Sequence, residues 1–89
     1  LKGAVEDFDQ AIRLKPNYAK AYYHRGNTRF LKLRNPKDAI PDYDQAIRLN
    51  PDFAPAYSNR GLAYGISGNR QAAISDLQKA ADLFQRQGN

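Results

Sequence analysis

Residues 42–51, DYDQAIRLNP, repeat almost unchanged a segment that stands 35 positions earlier, DFDQAIRLKP at residues 7–16. Eight of the ten positions are identical. A second pair of segments, AYYHRGN at residues 21–27 and AYSNRGL at residues 56–62, recurs at the same spacing. Because self-similarity at a fixed period is typical of repeat proteins, the sequence predicts a short array of two-part units.

The overall composition is that of an ordinary folded domain. Of the 89 residues, 42% are hydrophobic and 26% are charged, which is too apolar for a disordered chain. The absence of cysteine excludes disulfides, thiolate metal sites and a cysteine nucleophile. No apolar run approaches the roughly 18 residues that a membrane-spanning helix needs, and residues 1–3, LKG, do not open a signal peptide. We therefore expect no membrane segment and a cytoplasmic location.

Apolar residues at spacings of three and four predict five helices, over residues 2–14, 18–33, 36–49, 53–67 and 70–87. Polar residues after the turns are expected to cap the second, fourth and fifth helices, namely Asn17, Asp52 and Asn69, and Asn35 followed by Pro36 gives the same signal for the third helix. Pro41 lies deep in the third helix. It either distorts that helix or requires a later start with Asp38 as the cap, and we favour the later start.

The order of the helices divides the single domain of residues 1–89 into three units. Residues 1–16 are the second helix of a partial unit, residues 17–51 are a full unit, and residues 52–89 are a full unit with a lengthened last helix. Since the array starts in mid-unit and without methionine, we expect a piece of a longer protein. Each helix of a solenoid is buried only against its neighbours, so the first and last helices should keep uncovered apolar edges.

These units resemble the tetratricopeptide repeat, a helix-turn-helix unit of about 34 residues. In the family, a large aromatic residue is followed four positions later by a small residue, and this pair is matched by Tyr22 with Gly26 and by Tyr57 with Gly61. An alanine is followed four positions later by a bulky residue, and this pair is matched by Ala4 with Phe8, Ala39 with Tyr43 and Ala73 with Leu77. The proline that ends each unit is matched by Pro16 and Pro51. The resemblance covers essentially the whole chain.

Three features depart from the family pattern. Arg25 and Arg60 stand where leucine is usual, Arg29 stands where tyrosine is usual, and the loop of residues 34–37 carries one extra residue. We interpret Arg29 as an arginine whose stem packs while its head reaches solvent or a carboxylate. Within single helices we expect ion pairs four residues apart, Asp9 with Arg13 and Asp44 with Arg48.

The resemblance implies an all-α, right-handed superhelix whose first helices line a concave groove for an extended peptide or a partner helix. In this chain the second and fourth helices would line it. The residues expected on this face are Lys20, Tyr23, His24, Asn27, Leu31, Ser58, Asn59, Leu62 and Ile66. Phe30 could belong either to this face or to the core. We therefore hypothesise a scaffold for protein binding that is not an enzyme.

Family members that hold the C-terminal carboxylate of chaperones use lysines, an arginine and two asparagines. Asn27 and Asn59 match the asparagines, but Tyr23 replaces the first lysine and no third unit supplies the other cations. Because charge-assisted bonds make such a clamp strong, we expect a different mode of peptide binding here.

A basic patch surrounds the turn between the second and third helices and consists of Arg29, Lys32, Arg34 and Lys37. It could bind nucleic acid or another acidic polymer. The favoured interpretation is a solvated helix end placed at the negative end of a helix dipole, because no aromatic residues interleave with these cations.

Chemistry at the single histidine is not indicated. His24 has neither cysteine nor carboxylates on its face, so the sequence predicts no metal and no cofactor. Nothing acidic is spaced to orient it as a base for Ser58, so no catalytic residue is predicted. The remaining alternative to peptide binding is self-association, as a dimer or an end-to-end stack through the uncovered terminal helices.

Overall fold

The structure, a computed structural model, describes residues 2–88; the first and last residues of the predicted domain, Leu1 and Asn89, lie outside the described residues. Residues 2–88 form five helices and no strand. These are α1 (Lys2–Leu14), α2 (Ala19–Asn27) with a π-helical last turn (Thr28–Lys32), α3 (Pro36–Leu49), α4 (Ala54–Ile66) and α5 (Arg70–Gly88). The all-α solenoid is therefore confirmed.

Each helix packs chiefly against its neighbours in the chain, so that α2 covers α3 and α4 covers α5. Glycine makes this approach possible, because a Cβ added at Gly26 would lie 3.0 Å from the ring of Tyr43. A Cβ at Gly61 would lie equally close to Leu77. Tyr43 is fully buried, and Phe30, at 8% exposure, belongs with it in the core rather than on the groove face.

The expected late start of α3 is wrong. The helix begins at Pro36, and Asn35 is its N-cap, because the Asn35 side chain accepts a hydrogen bond from the Asp38 amide at 3.3 Å. Pro41 therefore lies inside an unbroken helix. Proline at this exposed position removes one amide donor, and tertiary packing of the other face holds the helix together.

The N-cap signal of Asn35 is thus confirmed, but the caps expected for α2 and α4 are wrong. The N-cap residues of α2 and α4 are Tyr18 and Phe53, and neither helix has a side-chain cap bond. Backbone bonds close these turns instead, such as the 3.1 Å bond from the Phe53 amide to the Asn50 carbonyl. At α5 the expectation is confirmed, since Asn69 accepts from the Ala72 amide at 3.2 Å.

The extra residue of the first full unit is absorbed in the π turn. The Leu33 amide donates to the Thr28 carbonyl at 3.0 Å, five residues back. The turn then closes through Arg34 at a φ of 56°, the left-handed region, where the next unit places Gly68 at 92°.

One arginine in each full unit joins three helices. Arg25 donates to Asp42 of α3 through Nη2 at 2.7 Å and Nε at 3.1 Å. Its Nη1 reaches Asp9 of α1 at 2.7 Å. Arg29 completes the cluster with a 3.0 Å bond to Asp42, so its head does reach a carboxylate, as interpreted from the sequence.

Arg60 repeats the arrangement one unit later. It binds Asp76 of α5 through Nε at 2.7 Å and Nη2 at 2.8 Å, and Asp44 of α3 at 3.0 Å. Asp9 and Asp44 are thus engaged across helices, and the expected pairs with Arg13 and Arg48 are wrong. Those two arginines bond instead to Gln10 and Gln45, three residues earlier.

Hydrogen bonding to Asp42 and to Asp76 raises the pKa of Arg25 and of Arg60 above the ordinary value for arginine. Because the pKa is higher in the folded state, each ion pair contributes its full stabilisation at any pH below the arginine pKa of the unfolded chain. This contribution is lost only as the pH rises through the arginine pKa of the folded state. Since arginine is protonated in both states at every physiological pH, these two shifts produce no pH dependence of stability there.

Replacing Pro41 should stabilise the protein. Pro41→Ala restores a helical amide donor in α3, and we expect the free energy of unfolding to rise by about 1 to 2 kcal/mol after allowing for the more flexible unfolded chain. Urea unfolding followed by circular dichroism measures this. The matched control is Pro36→Ala at the first helical position, where no bond is regained. Equal effects of the two substitutions would contradict this view of Pro41.

Candidate functional site

Two asparagines and two tyrosines form a hydrogen-bonded network, hereafter the amide network, that links α2, α3 and α4. Asn27 Oδ1 accepts from the Tyr43 hydroxyl at 2.6 Å and from Asn59 Nδ2 at 2.8 Å. Asn59 Nδ2 also approaches the Tyr23 hydroxyl at 3.3 Å. These bonds orient both amides, because each amide must present its oxygen or its nitrogen to a fixed neighbour.

The amide network leaves one donor group and one acceptor group unused. Asn27 Nδ2 and Asn59 Oδ1 have no hydrogen-bond partner among residues 2–88. Among residues 2–88, Ser67 Oγ is the only buried side-chain atom that lacks a hydrogen-bond partner. The two unpaired amide groups are therefore accessible to solvent. An accessible amide donor beside an accessible amide acceptor can bond to the C=O and N–H groups of another backbone.

Aromatic packing holds Tyr23 in place beside the amide network. Its ring centroid lies 4.9 Å from that of Phe53, 5.3 Å from that of His24 and 6.1 Å from that of Tyr43. His24 in turn stacks on Phe8 of α1 at 5.8 Å. Burial raises the pKa of Tyr43, so its hydroxyl stays neutral and remains a donor to Asn27.

The structure therefore brings together four of the residues predicted for the groove, Tyr23, His24, Asn27 and Asn59. The other five are not bonded to this group. Lys20 is exposed and Ser58 is partly buried. The three apolar ones, Leu31, Leu62 and Ile66, are exposed by 62%, 48% and 68%.

Tyr43 and Phe53 also contact this group, although neither is among the residues predicted for the groove face. Tyr43 is indeed buried, but its hydroxyl fixes Asn27, and Phe53 supports the ring of Tyr23. A signal was present in the sequence. Tyr43 replaces Phe8 and Leu77 at the equivalent position, and a buried tyrosine hydroxyl requires a partner.

The two helices that carry the predicted groove residues contain no carboxylate. Every Asp and Glu of the chain lies outside residues 19–32 and 54–66. Within the basic patch, Arg29 is paired with Asp42, whereas Lys32, Arg34 and Lys37 are exposed.

The part of the chain that the structure describes holds no metal-binding cluster, no pocket and no membrane-spanning helix. Residues 2–88 contain no group of three or more His, Asp or Glu side chains placed to hold a metal ion. They enclose no pocket. None of their helices combines the length and apolar character needed to cross a bilayer.

Solved structures similar to this chain share its architecture. The crystal structure of MamA covers 94% of this chain with 31% identity and a TM-score of 0.87, and MamA from Desulfovibrio magneticus RS-1 covers 92% with 35% identity and a TM-score of 0.81. YrrB, described as a TPR protein with an unusual peptide-binding site, covers 92% with 26% identity and a TM-score of 0.81. The chain spans 48%, 46% and 42% of these proteins, less than half of each.

Profiles of known protein families give the same assignment as the similar solved structures. Among curated proteins, no sequence matches the chain. The TPR repeat profile matches residues 1–32 and 37–68, and the tetratricopeptide repeat profile matches residues 54–86. The chain therefore belongs to the tetratricopeptide repeat family, whose helical repeats act as protein-interaction modules.

Proposed function

We propose that the face formed by α2 and α4 binds an extended peptide through its main chain. The observation that carries this proposal is the unused amide pair, Asn27 Nδ2 and Asn59 Oδ1, which the amide network holds in fixed orientation. In an extended ligand the C=O and N–H groups of one residue point to the same side, so that one residue can accept from the first atom and donate to the second. Recognition of this kind depends on backbone groups and tolerates varied ligand side chains.

The surroundings of the amide network supply the remaining contacts. Leu31, Leu62 and Ile66 expose apolar area at the C-terminal ends of the two helices, suited to apolar ligand side chains. Lys20 provides a cation at the N-terminal end of α2, on helices that carry no carboxylate. We therefore expect bound peptides to combine apolar and acidic residues.

A random linear peptide library displayed on phage tests this proposal. Peptides enriched on the chain should lose at least about tenfold in affinity, or about 1.4 kcal/mol, for Asn27→Ala/Asn59→Ala. The control is Gln78→Ala, on the exposed surface of α5, which should bind as the unchanged chain does. Fluorescence anisotropy measures the affinities, and circular dichroism checks that the variants fold.

A ligand-side variant makes the test independent of protein folding. N-methylation of successive peptide bonds removes one backbone donor at a time, and one of these positions should reduce affinity as strongly as the asparagine substitutions. Failure to enrich any peptide, or enrichment of peptides that tolerate both asparagine substitutions and every N-methylation, would contradict main-chain recognition.

Self-association is a second candidate, because an apolar stripe of α5 lies uncovered. Its exposed members are Ile74, Leu77 and Phe84. In the preceding unit α3, the equivalent helix, is covered by α4. A second copy of the chain could bury these side chains in the same way.

Light scattering coupled to size exclusion tests self-association directly. We expect the molar mass to rise above 10.0 kDa with increasing concentration, and Phe84→Glu to suppress the rise. Asp82→Lys, which changes the charge beside this stripe without adding to the apolar surface, serves as a control. A mass that stays at that of one chain at every concentration would contradict self-association.

A further inference from the structure

The turn from α2 to α3 and the turn from α4 to α5 lie on the same edge of the array. Short turns join helices that pack against each other, so consecutive helices run in opposite directions. Four cations surround the two turns and are hereafter called the basic edge, namely Lys32, Arg34, Lys37 and Arg70. All four are exposed, and none forms an ion pair within residues 2–88.

The charge of the basic edge is not balanced by neighbouring acids. Asp38 is the one carboxylate of residues 31–38 and 66–71, and it accepts a hydrogen bond from Asn35 Nδ2 at 2.8 Å. Neighbouring repeats of a solenoid stack on the faces of its helices, so this edge stays open to solvent in a longer array as well. The four cations are therefore accessible to a partner.

Three of the four cations occupy positions that are unfavourable for the fold. Arg34 has a φ of 56°, in the left-handed region where the equivalent turn has Gly68 and where a bulky side chain is strained. Lys37 and Arg70 lie in the first turns of α3 and α5, next to the positive ends of the helix dipoles. The helix dipoles therefore do not explain why these two positions carry cations.

The opposite edge of the array also has cations, but these are favourably placed. Arg13, Arg48 and Arg86 lie in the last turns of α1, α3 and α5, at the negative ends of the dipoles. Each also bonds to a side chain three or four residues earlier. Cations kept at locally unfavourable positions are expected where they serve a ligand, and only the basic edge shows this pattern among these two edges.

We propose that the basic edge is a docking surface for an acidic polypeptide segment that also carries a bulky apolar residue. The carboxylates of the segment pair with the four cations, and its apolar side chain packs on Leu33, which is 44% exposed and stands between Lys32 and Arg34. A nucleic acid fits less well, because residues 31–38 and 66–71 contain no aromatic side chain on which bases stack. This surface does not depend on the function proposed for the groove.

A labelled peptide with one central leucine, flanked on each side by four glutamates, is the probe for the basic edge. It should bind the 89-residue chain saturably, with an affinity that falls as salt is added. Lys37→Glu/Arg70→Glu should weaken binding at least about tenfold, because two attractive charges become repulsive. The same variant should raise the urea midpoint of unfolding, because acids suit the first turn of a helix. Fluorescence anisotropy measures the affinity, and circular dichroism follows the unfolding.

The matched control is Arg13→Glu/Arg48→Glu, which makes the same change of charge on the opposite edge. It should lower the urea midpoint and leave the affinity within about twofold at physiological salt, where distant charges are screened. Arg34→Gly removes both the strain and the guanidinium, so it should raise the midpoint and weaken binding at least about threefold. A peptide with serine in place of the leucine should bind the unchanged chain at least about threefold more weakly.

Any of five results would overturn the proposal. The first three are no saturable binding at millimolar chain, equal weakening by the two charge reversals, and unaltered binding with Arg34→Gly or with the serine peptide. The fourth is loss of binding with Asn27→Ala/Asn59→Ala but not with Lys37→Glu/Arg70→Glu, which would place the peptide in the groove of α2 and α4. The fifth is tighter binding of an oligothymidine of equal charge, which would make the partner a nucleic acid.

Discussion

Each full repeat is organised around one buried carboxylate and the arginine that neutralises it. Asp42 and Asp76 are 2% and 6% exposed, and such burial of a charge is tolerated only with a hydrogen-bonded partner. The partner arginine directly precedes the glycine at which the two helices pack closely, so the ion pair and the close contact lie at the same point of the interface. The same arginine also bonds to an aspartate of the preceding unit. It therefore links the helix packing within one unit to the packing between two units, which are separate interfaces in a solenoid.

The position of the candidate site follows from this arrangement. Arg25 and Arg60 lie on the same helices as Asn27 and Asn59, and the arginine clusters hold α2 and α4 in fixed register. That register brings Asn59 within 2.8 Å of Asn27, across 32 residues of sequence. Arg25, Arg29 and Arg60 of these helices are thus paired inside the array, whereas each asparagine keeps one unpaired amide group. This difference supports the proposed recognition of a ligand by backbone hydrogen bonds rather than by charge.

The repeat spacing was sufficient to predict the five helices and the solenoid, because each element appears at least twice with the same signals. Helical periodicity placed Tyr23 and Asn27 on one side of the second helix, and the family resemblance implied that Asn59 of the fourth helix shares that face. The ion pairs could not be predicted this way. Asp9 lies four residues from Arg13 but bonds to Arg25, because a partly buried donor across the interface outcompetes a solvated neighbouring donor. The uninterrupted helix through Pro41 likewise depends on packing that local propensity does not encode.

The most direct test of this account is a double-mutant cycle between Arg60 and Asp76, measured by urea unfolding. Arg60→Leu, which introduces the residue usual in the family, leaves Asp76 buried without a partner and should cost about 2 to 4 kcal/mol. Adding Asp76→Ala should recover part of that loss, with a coupling of at least about 1.5 kcal/mol. If the two substitutions are additive within about 0.5 kcal/mol, the buried pair does not hold the array together and the account is wrong.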